Sequence, residues 1–389
     1  MLTPRSLFPV LAAAAFLFSA YGHAGSAINT QAAAPGASAA KMGNAITGEG
    51  LPNPAPNVTR NWGQLPEGRK WGSSAGIDID PKDGHVWAYE RCGAGTFGAG
   101  APVTCDSNPV DPVFKFDRRT GAVLANFGKG IMVTPHGIHV DNDGNVWIAD
   151  FAGNEAGTKG HQVHKFSPKG EKLMSLGIAG KPGNADGQFN QPNDVVVGPD
   201  GSIFVSDGHD GQGMTTNKAI AEGIASGATA RISKFSPDGK FIKSWGKLGV
   251  RHGDFRTPHA LAFDSKGRLW VADRGNHRIE IFDQEGKYLE SRYMYGRISG
   301  LFIKDDTVYA IDSESGPLNH ANWRNGVRIG PLDADRITAF IPPFEREDRV
   351  YQGTAGEGVA VDAEGNVYAA EGPNSLTQAG GAFTKYSAK

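Results

Sequence analysis

A short motif returns six times along this chain, and the repetition limits its architecture more than any other feature. The copies are clearest in TPHGIHVDNDGNVWIADF from Thr134 and TPHALAFDSKGRLWVADR from Thr257, with QPNDVVVGPDGSIFVSDG from Gln191 between them. Fainter copies are SAGIDIDPKDGHVWAYER from Ser74, ISGLFIKDDTVYAIDS from Ile298 and GEGVAVDAEGNVYAAEG from Gly356. Each reads as an alternating apolar strand, a turn, a second strand ending in an acid, a variable loop and a third strand. RISKFSPDGKFIKSWG from Arg231 supplies a third strand, a turn and a fourth. A four-stranded meander cannot bury both faces alone, whereas packing such sheets in a ring does so. The expected fold is therefore all-β, a six-bladed β-propeller over residues 57–389. The last copy stops after AFTKYSA, and NVTRNWG from Asn57 resembles a fourth strand, so an N-terminal strand is expected to close the ring.

Composition agrees. The chain's 54 Gly and 23 Pro in 389 residues suit many short elements joined by turns and argue against a helical bundle. With 39 Lys+Arg against 41 Asp+Glu the net charge is -2, which gives no electrostatic basis for a nucleic-acid partner. Residues 1–24 read as a signal peptide, with Arg5, an apolar run from Leu7 to Ala20, and small residues up to Ala24. That run is shorter than the roughly 20 residues a bilayer span needs, so no membrane span is expected after cleavage. Residues 25–56, rich in Ala, Gly and Pro, read as a disordered tether. A periplasmic or secreted protein follows, expected to be a monomer. In that compartment Cys92 and Cys105, the only cysteines, are expected to form a disulfide.

In each blade the start of strand one and the loop after strand two lie on the same face. The long insertions fall in those loops, where a substrate mouth or a partner platform would sit. Aligning the copies places Ala75, His136, Asn193, His259, Ser299 and Glu357 around the central channel. The metal-ligating types, His136, His259 and Glu357, fall in alternate blades and suggest a His₂Glu site for zinc or another divalent metal. Two histidines lining a solvated channel, and a glutamate paired with an arginine, form the alternative. The acids ending the second strands (Glu90, Asp150, Asp207, Asp273, Asp312 and Glu371) are better explained as hydrogen-bond acceptors within the blades than as a calcium ring. Beside them sit Arg91, suited to an anionic substrate group, Arg274, and His209, a candidate proton-transfer group. His161 and His164, at odd spacing in one strand, are not expected to converge.

Together the two Pro-His motifs, and the blade between them, resemble the NHL-repeat propeller of peptidyl-α-hydroxyglycine α-amidating lyases. The likeness runs from about Ser74 to Lys389. It implies a zinc enzyme with a structural calcium that cleaves a carbinolamide C–N bond, releasing a peptide amide and glyoxylate. It carries the first two zinc ligands onto His136 and His259, and the substrate-carboxylate arginine onto Arg91. Where that family has its third histidine followed by Asp, this chain has Glu357-Gly358, so the calcium contact is lost. The family's catalytic tyrosine becomes His209, and its methionine before the third ligand becomes Ala355. The expected function is an exported metal-dependent lyase acting on a small-molecule or peptide substrate. The alternatives are a metal-dependent hydrolase or lactonase, and a non-catalytic binding or scaffold propeller.

Overall fold

Six four-stranded antiparallel sheets result from the six repeats. The computed structural model describes residues 43–93, 103–317, 319–343, 356–371 and 383–388; the expected signal peptide lies outside them. Strand one of each blade is innermost. In blade two the strands are Pro135–Val140, Val146–Asp150, Gln162–Phe166 and Lys172–Leu176. Blade four repeats them at Pro258–Phe263, Leu269–Asp273, Arg278–Phe282 and Tyr288–Arg292. Second strands such as Val146–Asp150 and Leu269–Asp273 are buried at every position. The outer strand Phe241–Trp245 of blade three alternates between half-buried and exposed. Burial thus follows position in the blade, because only the inner strands have a neighbouring sheet on both faces.

The turn between strands one and two is fastened the same way in four blades. Asp141 Oδ1 accepts the amides of Asp143 at 3.0 Å and Asn145 at 2.9 Å, while its Oδ2 accepts Trp147 Nε1 at 3.0 Å. Asp80 with Trp87, Asp264 with Trp270, and Asp362 with the Tyr368 hydroxyl repeat the arrangement. One carboxylate therefore both closes a turn and satisfies the polar tip of a large buried ring.

Asn57–Arg60 pairs antiparallel with Phe383–Ser387 and becomes the outer strand of blade six, as expected. Trp62 follows it and packs edge-on against Tyr368 of blade six and Phe116 of blade one, with centroids 4.8 and 5.6 Å away. The closing strand is thereby fixed at the seam between the last and first blades.

Three features differ from the sequence reading. Part of the stretch expected as a free tether lies on blade five, where Ile46 O accepts the Arg324 amide at 3.0 Å and Arg328 Nη2 at 2.7 Å, and Ala55 is buried. Buried Arg328 supplies the reason, since its guanidinium takes these carbonyls as partners. The blade-three insertion contains a helix, Asn217–Ser226, capped by Thr216 Oγ1 accepting the Ala219 amide at 3.1 Å. In blade five the third strand starts at Gly326, inside the stretch expected as loop.

Candidate metal centre

The repeat brings the first strands unusually close at the axis. Four of the six ring residues are followed by glycine: Gly76, Gly137, Gly300 and Gly358. A Cβ on Gly300 would lie 2.4 Å from Glu357 O, and one on Gly358 would lie 2.7 Å from Ala75 O. Only glycine permits that approach, which aims the preceding side chains inward. They line a cavity of about 220 Å³ that includes His136, Asn193, His259, Ser299 and Glu357.

His136 and His259 are held alike. Nδ1 of His136 donates to Asn193 O at 2.8 Å, and Nδ1 of His259 donates to Ser299 O at 2.6 Å. A proton on Nδ1 leaves the lone pair on Nε2, and both Nε2 atoms are buried without a partner among the described residues. His209 completes a group whose ligand atoms all lie within 4.8 Å of one another. The His136 and His259 ring centroids are 4.8 Å apart, and His209 is 5.8 and 5.5 Å from them. Phe151 stacks on His136 and meets the edge of His209, walling one side.

Electrostatics keeps these imidazoles neutral. Burial pushes all three well below their ordinary pKa. The nearby guanidinium groups of Arg274 and Arg91 push His136 and His209 further the same way. Neutral imidazoles with inward lone pairs are the form in which histidine binds a metal, so this three-histidine group could hold one. His209 differs in one respect, because its Nε2 accepts Arg274 Nη2 at 2.8 Å. Zinc–nitrogen bonds of about 2.0 Å would place ligand nitrogens roughly 3.4 Å apart, inside the 4.8 Å that bounds the three ligand atoms here.

Arginines from the loops after the second strands and from the entry to blade five lie near the histidines. Arg91 is buried and donates to Pro135 O at 2.9 Å and Ser73 Oγ at 3.2 Å. Arg274 reaches Gln212 Oε1, Ser299 Oγ and Glu314 as well as His209. Arg297 meets Glu314 at 3.1 Å. The Cys92–Cys105 disulfide ties the loop after Arg91 to the entry of the His136 strand, where the Cys105 amide donates to Val133 O at 3.0 Å. The expected pairing is therefore present, and it holds two site segments together.

Of the residues singled out from sequence, His136, His259 and His209 come together, and Arg91 lies beside them. Glu357 lines the same cavity but stands outside the three-histidine group. Sequence reasoning missed Phe151, Gln212 and Glu314 and gave Arg274 little weight. For Phe151 and Arg274 the usable signal was the position directly after a second-strand acid, whereas Gln212 and Glu314 lie further into the loops. Gly358 offers no side-chain ligand where the resemblance implies a calcium-binding Asp. The second-strand acids bind within their own blades: Asp150 accepts the amides of Val133 and Thr134, Asp207 that of Asn190, Asp273 that of Arg256 and Asp312 that of Arg297. No described helix is long and apolar enough to cross a membrane.

Fold and axial cluster define the class, a six-bladed propeller built of NHL-type blades, and the NHL repeat family matches residues 255–282. The chain is 29% identical over 334 residues to peptidyl-glycine α-amidating monooxygenase B of Xenopus laevis, covering 76% of this chain and 33% of that protein. It is 31% identical over 193 residues to peptidyl-α-hydroxyglycine α-amidating lyase 1 of Drosophila melanogaster, covering 46% of this chain and 31% of that one. This chain thus resembles the peptidyl-α-hydroxyglycine α-amidating lyases, and its matches span about a third of these proteins' length. A gluconolactonase from Xanthomonas campestris shares the fold, with a TM-score of 0.51 at 13% identity over 86% of this chain and 92% of that one.

Proposed function

We propose that this protein is an exported, metal-dependent lyase that splits the C–N bond of a carbinolamide of the peptidyl-α-hydroxyglycine type, releasing an amide and glyoxylate. The observation that carries the proposal is the axial trio of neutral histidines, two of them presenting buried Nε2 lone pairs that no group among the described residues uses. His136, His209 and His259 would hold zinc or a similar divalent ion, which would act as a Lewis acid at a substrate oxygen. Buried Arg91 beside them orients the substrate's carboxylate through its planar guanidinium. Phe151 shields His136 and His209 on one side, which strengthens these charge interactions. The disulfide suits an oxidising compartment and so supports export.

The test is direct. Purified protein incubated with an α-hydroxyglycine-extended peptide should release peptide amide and glyoxylate in equal amounts. Chelation should stop the reaction, and zinc should restore it. Metal-loaded protein that releases neither product contradicts the assignment.

A further inference from the structure

One buried group at the axis has no structural task. Glu357 is 3% exposed, and its Oε2 has no hydrogen-bond partner among the described residues. A buried carboxylate ordinarily secures its oxygens, as Asp150, Asp207, Asp273 and Asp312 do here. Glu357 lines the same cavity as His136 and His259, yet the convergent ligand set forms without it. The charged groups that bear on it are Arg274, Glu314 and Arg91, all from other blades. Its place in the ring is set by backbone packing, with the Glu357 amide donating to Ala370 O at 2.7 Å and Gly300 packed against its carbonyl. The carboxylate is therefore held at the cavity wall and left chemically available.

Resting on the lyase reading above, we propose that His209 is the third metal ligand and Glu357 the proton-transfer group, the reverse of the roles their sequence positions suggest. The step balances without any co-reactant. Glu357 takes the proton from the substrate's carbinol hydroxyl, and the oxygen closes to a carbonyl as the C–N bond breaks. The bonding pair leaves on nitrogen, and the carboxylic acid so formed returns its proton there. The products are a primary amide and glyoxylate, and Glu357 ends as it began. Burial raises its carboxyl above the ordinary range, Arg274 and Arg91 oppose the rise, and Glu314 reinforces it, which suits a group that must both accept and return a proton.

The experiment compares Glu357→Gln with His209→Ala, each purified, supplied with zinc, gel-filtered and checked for an unchanged thermal transition. Metal content by elemental analysis and turnover of an α-hydroxyglycine peptide are both read. Glu357→Gln should keep its metal and lose turnover by about 10²- to 10⁴-fold, whereas His209→Ala should lose metal. Loss of metal in Glu357→Gln, with retention in His209→Ala, would make the glutamate the ligand and overturn the proposal. Full turnover in Glu357→Gln would overturn it equally. Failure of the lyase reading shows itself separately, as metal-loaded wild-type protein without turnover; it removes the proton-transfer role, and the metal contents of the two variants still decide which residue is the ligand.

Discussion

Two rings cross all six blades and behave oppositely. Acids that end the second strands are the same kind of residue in every repeat, and they bond to the segment entering their own blade, as Asp150 does with Val133 and Thr134. Residues that begin the first strands differ from blade to blade, and several reach across to a neighbour, as His136 does to Asn193 O and His259 to Ser299 O. Those latter side chains keep buried polar atoms without partners among the described residues, including His136 Nε2, His259 Nε2 and Glu357 Oε2. Where every repeat needs the same residue, it serves the blade. Where the residue varies and a polar atom is left over, the position is available to a ligand.

This contrast can be broken experimentally. The largest effect belongs to the inner ring: His136→Ala should take turnover of an α-hydroxyglycine peptide to background, while its stability falls by no more than about 2 kcal/mol from the orphaned Asn193 carbonyl. A denaturant melt beside the assay checks both. Replacing an acid should do the opposite. Asp273 accepts the Arg256 amide at 2.8 Å and Arg278 Nε at 2.9 Å. Asp273→Ala orphans the Arg256 amide and removes one of the two carboxylates that meet buried Arg278, whose other partners are Glu280 and the carbonyls of Val250, Arg251 and Asp254; it should cost about 3 kcal/mol, with metal per folded chain unchanged. Equal stability losses from the two variants would erase the distinction.

Next comes the disulfide that joins the two rings at blade one. Replacing both Cys92 and Cys105 by Ala frees a loop of 13-residue separation and should lower stability by about 3 kcal/mol. The Michaelis constant should rise as Arg91 loses its anchored neighbour. A variant with wild-type melting and kinetics would show that the loop is held by other means.

The smallest effect tests whether a buried, unpartnered imidazole is itself enough to mark a site. His164 is 2% exposed, with Nε2 unpartnered among the described residues and Nδ1 2.9 Å from Ser175 Oγ, but it belongs to no convergent group. Burial pushes its pKa down to about 4 from 6.5. The unfolded chain therefore binds this proton first, so the contribution to stability is present above pH 6.5 and is lost as the pH falls toward 4. By pH 5 the wild type should have lost about 2 kcal/mol relative to His164→Gln. Turnover near neutral pH should be the same in both, and a turnover defect in the variant would tie His164 to the reaction.

Much of this was legible in the sequence because the repeat is strong. A turn Asp and a second-strand Trp or Tyr recur six or seven residues apart in four blades, so blade number, blade order and the closing strand from Asn57 follow from alignment alone. The positions of His136 and His259 at the axis follow too. The place of His209 does not, because it depends on loop depth rather than strand register. Gly208 has φ +107° and sits against Thr229 O, where a Cβ would lie 1.9 Å away. That sharp exit from the second strand turns the next residue toward the axis, and a short helical turn at Asp210–Gly213 follows. The glycine before His209 was the one local signal. Glu357 holds the expected ring position and lines the cavity but stands outside the three-histidine group, since a shared position in a repeat does not fix which groups meet in space.

The central claim is that the axial histidines bind one metal ion. Calorimetric titration of metal-free protein with zinc tests it most directly, beside the His136→Ala/His259→Ala double variant. One ion per chain in the wild type, and none in a variant that still folds, is the predicted result. Absence of binding by the wild type, or identical binding by both proteins, would contradict it.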